Sequence, residues 1–451
     1  MMNWKLICAA VMMAGSVLQG AEIKPTEVRG KAEEMRKAGN WKDALGQYQT
    51  VLAEVDDAGS ASDLGFATEA LQRLNRVAEM DALVEAEVVR HAKNWRVLNR
   101  AAQYYQQTMH YGTILDGEFK RGNNRGGGTW ASAEERDRVR SLQLYLAALE
   151  AGADGMSGKE RAGVMEFMGH ALTMGRTGRN RVWALGVLTP IDVLPDTSDG
   201  RGLSSGSGAP VDDDGNPLFM AVPESWEAAA NDGERWRWLL AERKRLDPGQ
   251  ATVVDVIWAR FLVNHYGVRS MAGYGWWQQQ DPDEAQGILQ VHTLKENESI
   301  ASLAGGVKRF ALADDYQFIP LLRRIMNAKA GSERDDAGDL LVQIFLDRRQ
   351  YGEAVTVLDS VITKFGKGSR DRRQKLMEQI TGDWGRFEAA GMFVAGDQPS
   401  VSYIFRNAEQ ASLTLHKVKM PLLVRDVFEF LEGNPRELDW KKTSVAAIGQ
   451  R

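Results

Sequence analysis

The sequence predicts a mainly α fold, an irregular α-solenoid that ends in a small β-containing segment. Three observations carry this. Through most of residues 21–390, apolar side chains recur every three to four positions, the period of one buried helix face. Proline is nearly absent from those stretches, as helix interiors require. After Phe387 the period falls to two: Val401, Tyr403 and Phe405 alternate with Ser402, Ile404 and Arg406. With 451 residues, 43% apolar and 26% charged, the chain is too long for one compact core.

Taken in order, Met1 to Lys5 supplies a short positive segment, and Leu6 to Leu18 a 13-residue apolar core that ends near Gly20 and Ala21. A bilayer takes about 20 residues to span, so residues 1–20 read as a cleaved signal peptide and the mature chain as exported, to the periplasm or cell envelope. The alternative is a buried N-terminal helix. Cys8, the only cysteine, lies inside that core and lacks the small residue that a lipoprotein signal places before it. Its removal leaves no disulfide, no CxxC metal site and no cysteine nucleophile. No later stretch is long and apolar enough for a membrane span.

From Thr26 to Asp57 two helices flank a turn at Gly39-Asn40-Trp41. Ala32 and Met35 precede it, and Ala44, Tyr48 and Val51 follow at the spacing of a tetratricopeptide (TPR) repeat. Alanine at a close crossing lets two helices touch, while the aromatic fills the groove between them. The register returns as Leu341 and Phe345, a turn at Arg349–Tyr351, then Ala354, Leu358 and Val361. The predicted fold is therefore an irregular TPR-like α-solenoid, without a clean period of about 34 residues in between. Further helices are predicted at 62–77, 79–90, 94–108, 133–152, 158–175, 224–245, 250–265, 283–289, 297–310 and 315–328. Trp226, Trp236 and Trp238 with Leu239 and Leu240 read as core.

Irregular insertions are predicted at 109–131, 188–223 and 266–280. In the first, six glycines (Gly112, Gly117, Gly122, Gly126, Gly127, Gly128) are interleaved with Lys120, Arg121 and Arg125. Ser132 and Glu135 then have capping-box spacing ahead of an apolar stripe at Val139, Leu142, Tyr145, Leu146 and Leu149. A phosphate-binding loop needs GxxxxGK[ST] after a strand. Here the run ends in Thr129-Trp130, which favours a structural loop whose arginines pair with Glu134, Glu135 and Asp137 over a nucleotide site. In the second insertion, the Asp212-Asp213-Asp214-Gly215 run invites calcium. EF-hand spacing fails, with Pro210 and Ala221 at ligand positions, so Ala209–Val211 and Leu218–Met220 read as flanks of a hairpin turn. In the third, Gly273-Tyr274-Gly275 beside Trp276-Trp277 is either buried packing or a shelf for a sugar ring.

Past the loop at Gly391–Ser400, the strand at 401–406 is expected to turn at Asn407–Gln410 and pair with Ser412–Val418. A helix from Pro421 to Leu431 follows, stopped at Glu432-Gly433-Asn434-Pro435. The segment 398–451 is thus a small α+β unit.

Five islands, YG…GEFKRG…RGGGTW…ERDRVRSLQL (111–144), GAPVDDDGNPLF (208–219), NDGERWRW (231–238), GDWGRFE (382–388) and YIFRNAE (403–409), resemble, in one order, the helical region and the start of the macroglobulin part of bacterial alpha-2-macroglobulin-like proteins. The resemblance implies peptidase inhibition at the envelope and protein partners, possible peptidases among them. Family members that trap peptidases covalently use a cysteine–glutamine thioester, which a mature chain without cysteine cannot make.

Net charge is −5 over 56 basic and 61 acidic residues, well mixed, so nothing marks a polyanion-binding surface and no nucleic-acid partner is expected. The six histidines (His91, His110, His170, His265, His292, His416) show no HExxH, HxH or zinc-like pairing, and no GxSxG elbow occurs. No catalytic, cofactor-binding or metal residues are therefore assigned. The expected function is an exported, non-enzymatic protein-interaction scaffold; the alternative is an envelope protein that binds or cleaves cell-wall glycan. The first expected outcome concerns export: mass spectrometry of the mature protein should find its N-terminus after Gly20 or Ala21, and a mature protein starting at Met1 would overturn this.

Overall fold

The computed structural model describes residues 24–123, 127–178, 180–198, 206–272, 290–388, 396, 398, 400–410, 412 and 419–432. The signal-peptide reading, Arg125, Gly273–Trp277, the helix at 283–289, most of the strand expected at 412–418 and the stop signal after Glu432 lie outside them. The chain is mainly helical and divides into two compact units, Met1–Arg370 and Asp371–Arg451.

The first unit opens with α1 (Pro25–Lys37) and α2 (Trp41–Glu54), joined through Gly39 at φ +79°. Ala32, Ala44, Tyr48 and Val51 are buried, as the TPR-like register requires. Next come α3 (Ser60–Arg73), α4 (Met80–Arg90) and α5 (Trp95–Gln107). Arg29 of α1 holds both oxygens of Asp57 at 2.8 and 2.7 Å and Asp63 at 2.9 Å, which fastens α1 to the α2–α3 turn.

The insertion at 109–131 departs from the expected loop. It is a three-stranded antiparallel sheet of β1 (Tyr111–Leu115), β2 (Glu118–Arg121) and β3 (Thr129–Ser132), in the order β2-β1-β3. Asp116 and Gly117, at φ +52° and +81°, make the two-residue turn of the β1–β2 hairpin. Gly112 sits in the central strand because a Cβ there would meet the Lys120 carbonyl at 2.2 Å and the Phe119 ring at 2.7 Å.

From this sheet the chain enters α6 (Glu134–Ala151). The capping box expected from Ser132 and Glu135 does not form: Ser132 ends β3, Ala133 holds the cap position, and Glu135 binds Arg138 and Arg176 instead. A capping box does form at α7 (Gly158–Thr173), where Glu160 N donates to Ser157 Oγ at 3.2 Å and Ser157 N donates to Glu160 at 2.9 Å.

Helix α8 (Asp232–Leu246) begins eight residues later than predicted, because Asn231 caps it by accepting from Glu234 N at 2.9 Å. Trp226, Trp236, Leu239 and Leu240 are buried, as read, whereas Trp238 is half-buried. The acidic turn is also as read: Asp212 accepts from the Asp214 and Asn216 amides at 3.1 and 2.7 Å, and Val211 bridges Pro217. Beyond α9 (Ala251–His265), the helix predicted at 297–310 is instead a hairpin of β4 (Glu298–Leu303) and β5 (Gly306–Ala311). Five consecutive residues of β4, Ser299–Leu303, are buried. Ile300 packs in a cluster with Val268, Met271, Val291 and Leu294 on one face, and Ser299, on the other, donates to the Tyr266 carbonyl at 2.6 Å. Burial from both sides removes the alternation that marks a strand.

The unit closes with α10 (Phe318–Met326), α11 (Arg334–Asp347) and α12 (Tyr351–Phe365). Leu341, Phe345, Ala354, Leu358 and Val361 are buried in the predicted register. Arg348 donates to the Lys295 and Glu298 carbonyls at 3.0 and 2.9 Å, tying the hairpin to the end of α11.

The second unit holds α13 (Arg372–Thr381), β6 (Trp384–Phe387), β7 (Tyr403–Arg406) and α14 (Met420–Glu432). The strand at 403–406 pairs antiparallel with Trp384–Phe387, upstream of it; the downstream partner expected at Ser412–Val418 lies mostly outside the described residues. The second unit starts at Asp371.

Ala44 and Ala354 have no exposed surface at their helix crossings. Leucine at either position should overpack the crossing and cost about 1–3 kcal/mol, read as a lowered Tm. An unchanged Tm would contradict the close approach.

Candidate functional site

Arginines and acids meet at two buried centres. At the first, β2 delivers Arg121 between α4 and α6, where it donates to Asp137 at 2.7 and 2.8 Å and to Asp81 at 2.9 and 3.0 Å. Tyr104 donates to Asp81 at 2.6 Å, and the His110 ring lies 2.9 Å from Asp137. Burial works against the Arg121 charge, but Asp137 and Asp81 outweigh it and raise the pKa. Breaking a pair this deeply buried costs about 3–5 kcal/mol, since the remaining charge has no solvent.

The second centre is Asp232, with no exposed surface, at the start of α8. It accepts from Arg176 at 2.8 Å, from Thr189 N at 3.0 Å, from Thr189 Oγ1 and from Arg235 at 3.3 Å. Arg138 of α6 donates to Thr189 Oγ1 at 2.7 Å, and Arg176 also holds Glu135 at 2.8 Å. Both centres consume their charges internally and join elements far apart in the chain.

A different arrangement lies between α7, α8 and α9, around a cavity of about 360 Å³. Its wall is aromatic: the Trp236 and Phe261 rings meet edge-on at 4.8 Å, and Phe261 stands 4.8 Å from the His265 ring. Arg243 of α8 reaches Glu166 of α7 at 3.0 Å. Gly169 faces Trp236 with no side chain of its own. Burial pushes His265 down to about 4, with a Thr177 backbone hydrogen bond opposing, so at neutral pH it is an uncharged imidazole.

The residues singled out in the sequence are distributed as follows. Arg121 is in the first buried centre, which removes it from any phosphate-binding role. It meets Asp137, as expected, together with Asp81, which was not foreseen. His91 lies between Asp56 and the Leu52 carbonyl at 3.0 and 3.1 Å, His110 contacts Asp137, and His292 is exposed. His170 and His265, which show no paired spacing in the sequence, line the same cavity. His416 is outside the described residues. Among the described residues, no group of three or more His, Cys, Asp or Glu is placed to hold a metal ion, and no helix is long and apolar enough to cross a membrane. Glu166, Arg243 and Gly169 were not foreseen, because a lone charge or glycine on a helix carries no local signal. No family model matches the chain, and no curated protein matches it.

His265 sets an expected pH dependence. The unfolded chain takes up this proton near its ordinary value of about 6.5, while the folded chain resists until about 4. Its contribution is therefore complete above about pH 6.5 and falls as pH drops towards 4, by about 3 kcal/mol in all. In urea unfolding across this window, His265→Gln should lose stability less steeply than wild type. Parallel curves would refute the buried neutral histidine.

Proposed function

We propose that the chain is an exported, non-enzymatic protein-interaction scaffold: an irregular TPR-like α-solenoid whose C-terminal unit offers apolar surface to a protein partner. One observation carries this. Of the seventeen large apolar side chains exposed among the described residues, nine (Trp384, Phe387, Val401, Ile404, Phe405, Met420, Val424, Val427, Phe428) fall within the short second unit. Exposed apolar surface concentrated in this way marks an interaction site, whereas singly scattered residues need no explanation. The helical unit supports the reading differently, since its two buried arginine–acid centres hold the fold together and leave those groups unavailable for chemistry.

The islands that resemble alpha-2-macroglobulin-like proteins have structural roles. GEFKRG is the β2 strand that carries Arg121, ERDRVRS carries Asp137 and Arg138, and NDGERWRW caps α8 and carries Asp232. GDWGRFE and YIFRNAE are the two strands that pair with each other. A chain built on such a frame, without a thioester cysteine after export, binds partners reversibly.

The test compares the full chain with a Trp384→Ser, Phe405→Ser, Phe428→Ser variant on immobilised protein against envelope extract. Wild type should retain a defined set of proteins that the variant loses while its helical unit keeps its Tm. Equal retention by both, or retention of peptidoglycan fragments alone, would overturn the proposal. Incubation with serine peptidases should give no SDS-stable, higher-mass adduct.

A further inference from the structure

The cavity between α7, α8 and α9 holds a cation that is underused in the fold. Arg243 is only 5% exposed, and among the described residues Glu166 is the one charged group set against it, at 3.0 Å. A guanidinium offers five donors in a fixed fork. Other buried arginines are more fully engaged. Arg121 grips two carboxylates, and Arg237 donates to the Met220 carbonyl and to Asp315 while covering the Trp258 ring at 4.7 Å. Burial depresses the Arg243 pKa, and Glu166 opposes this only in part. Glu166 itself is 42% exposed, so it can leave for solvent at little cost.

The remaining walls fit one kind of guest. Trp236 and Phe261 give flat apolar surface, and Gly169 lines the cavity beside Trp236. His265 adds no charge at neutral pH. The volume of about 360 Å³ lies at the small end of ligand pockets, which span roughly 300–1,000 Å³. A single buried cation with one displaceable acid suits one carboxylate rather than a polyphosphate. We infer that this cavity binds a small planar organic carboxylate, whose carboxylate group takes the Arg243 fork in place of Glu166 while its ring lies along Trp236 and Phe261. The inference is independent of the scaffold proposal, which rests on the other unit.

The test is calorimetric titration of the full chain with phenylacetate and indole-3-acetate, with phenylacetamide as the uncharged control. At least one carboxylate should bind, and phenylacetamide should bind roughly tenfold or more weakly than phenylacetate, since a charge-assisted fork is lost. Glu166→Gln should tighten carboxylate binding severalfold by removing the competing acid, an effect that a purely structural ion pair would not produce. Arg243→Met should abolish binding; if it fails to fold, the amide control and Glu166→Gln still decide. Equal binding of acid and amide, unchanged or weaker binding in Glu166→Gln, or no binding of either acid at millimolar concentration would each overturn the assignment.

Discussion

The ion pair between Arg121 and the carboxylates of Asp137 and Asp81 is the contact on which the order of the helical unit depends. Arg121 is the one fully buried residue of β2, whose other positions are exposed or half-buried. A charge at that depth is tolerated only when paired and hydrogen-bonded, so the hairpin has one acceptable seat, with Asp81 of α4 on one side and Asp137 of α6 on the other. Seating the hairpin places β3, and β3 leads through Ala133 directly into α6. Helix α6 in turn carries Arg138 and Glu135 to the Asp232 centre, which anchors the start of α8. The cavity wall supplied by Trp236 and Arg243 is thus held, through a chain of buried charges, by a strand separated from α8 by two α-helices.

This use of charge follows from the irregularity of the unit. In a regular array of helix pairs, small and large side chains interdigitate and the contacts are almost wholly apolar. Here strands and long irregular segments separate α5 from α6, α7 from α8 and α9 from α10. Arginines bridge these gaps because a planar fork reaches two acceptors at once and fixes orientation as well as distance. Arg29, Arg121, Arg176 and Arg348 each join segments distant in sequence. Arg243 departs from this pattern, and its spare donors face a cavity rather than backbone.

The two units differ in how they treat apolar surface. The first buries its aromatics in a continuous group, where Trp236, Trp258, Phe261, Tyr266, Tyr316 and Phe219 meet at centroid distances of 4.7 to 6.2 Å. The second leaves Phe387 and Phe405 more than half exposed on a ribbon of two strands. A two-stranded ribbon buries too little to be stable by itself in water. Apolar side chains on such an element gain most from a further surface laid against them.

What the sequence by itself determined is what local periodicity can encode. The helix pairs around Gly39 and Arg349, the burial of Ala44, Tyr48, Ala354 and Leu358, and the turn at Asp212–Asn216 all follow from spacing and turn chemistry within some twenty neighbouring residues. The β1–β2 hairpin was legible too, since Asp116-Gly117 between two β-prone runs is a hairpin turn; the density of glycines around it obscured the pattern. Tertiary structure decided the rest. Residues 298–311 became strands whose two faces both carry buried residues, Ile300 in the Val268–Leu294 cluster on one and Ser299 bonded to the Tyr266 carbonyl on the other, which erases alternation. Tyr403–Arg406 took an upstream partner, because strand pairing depends on which edge is in reach. His170 and His265 come to one cavity, and Glu166 meets Arg243, only where three helices cross. Desolvation by distant elements sets the charge and openness of such a site, and no spacing along the chain records it.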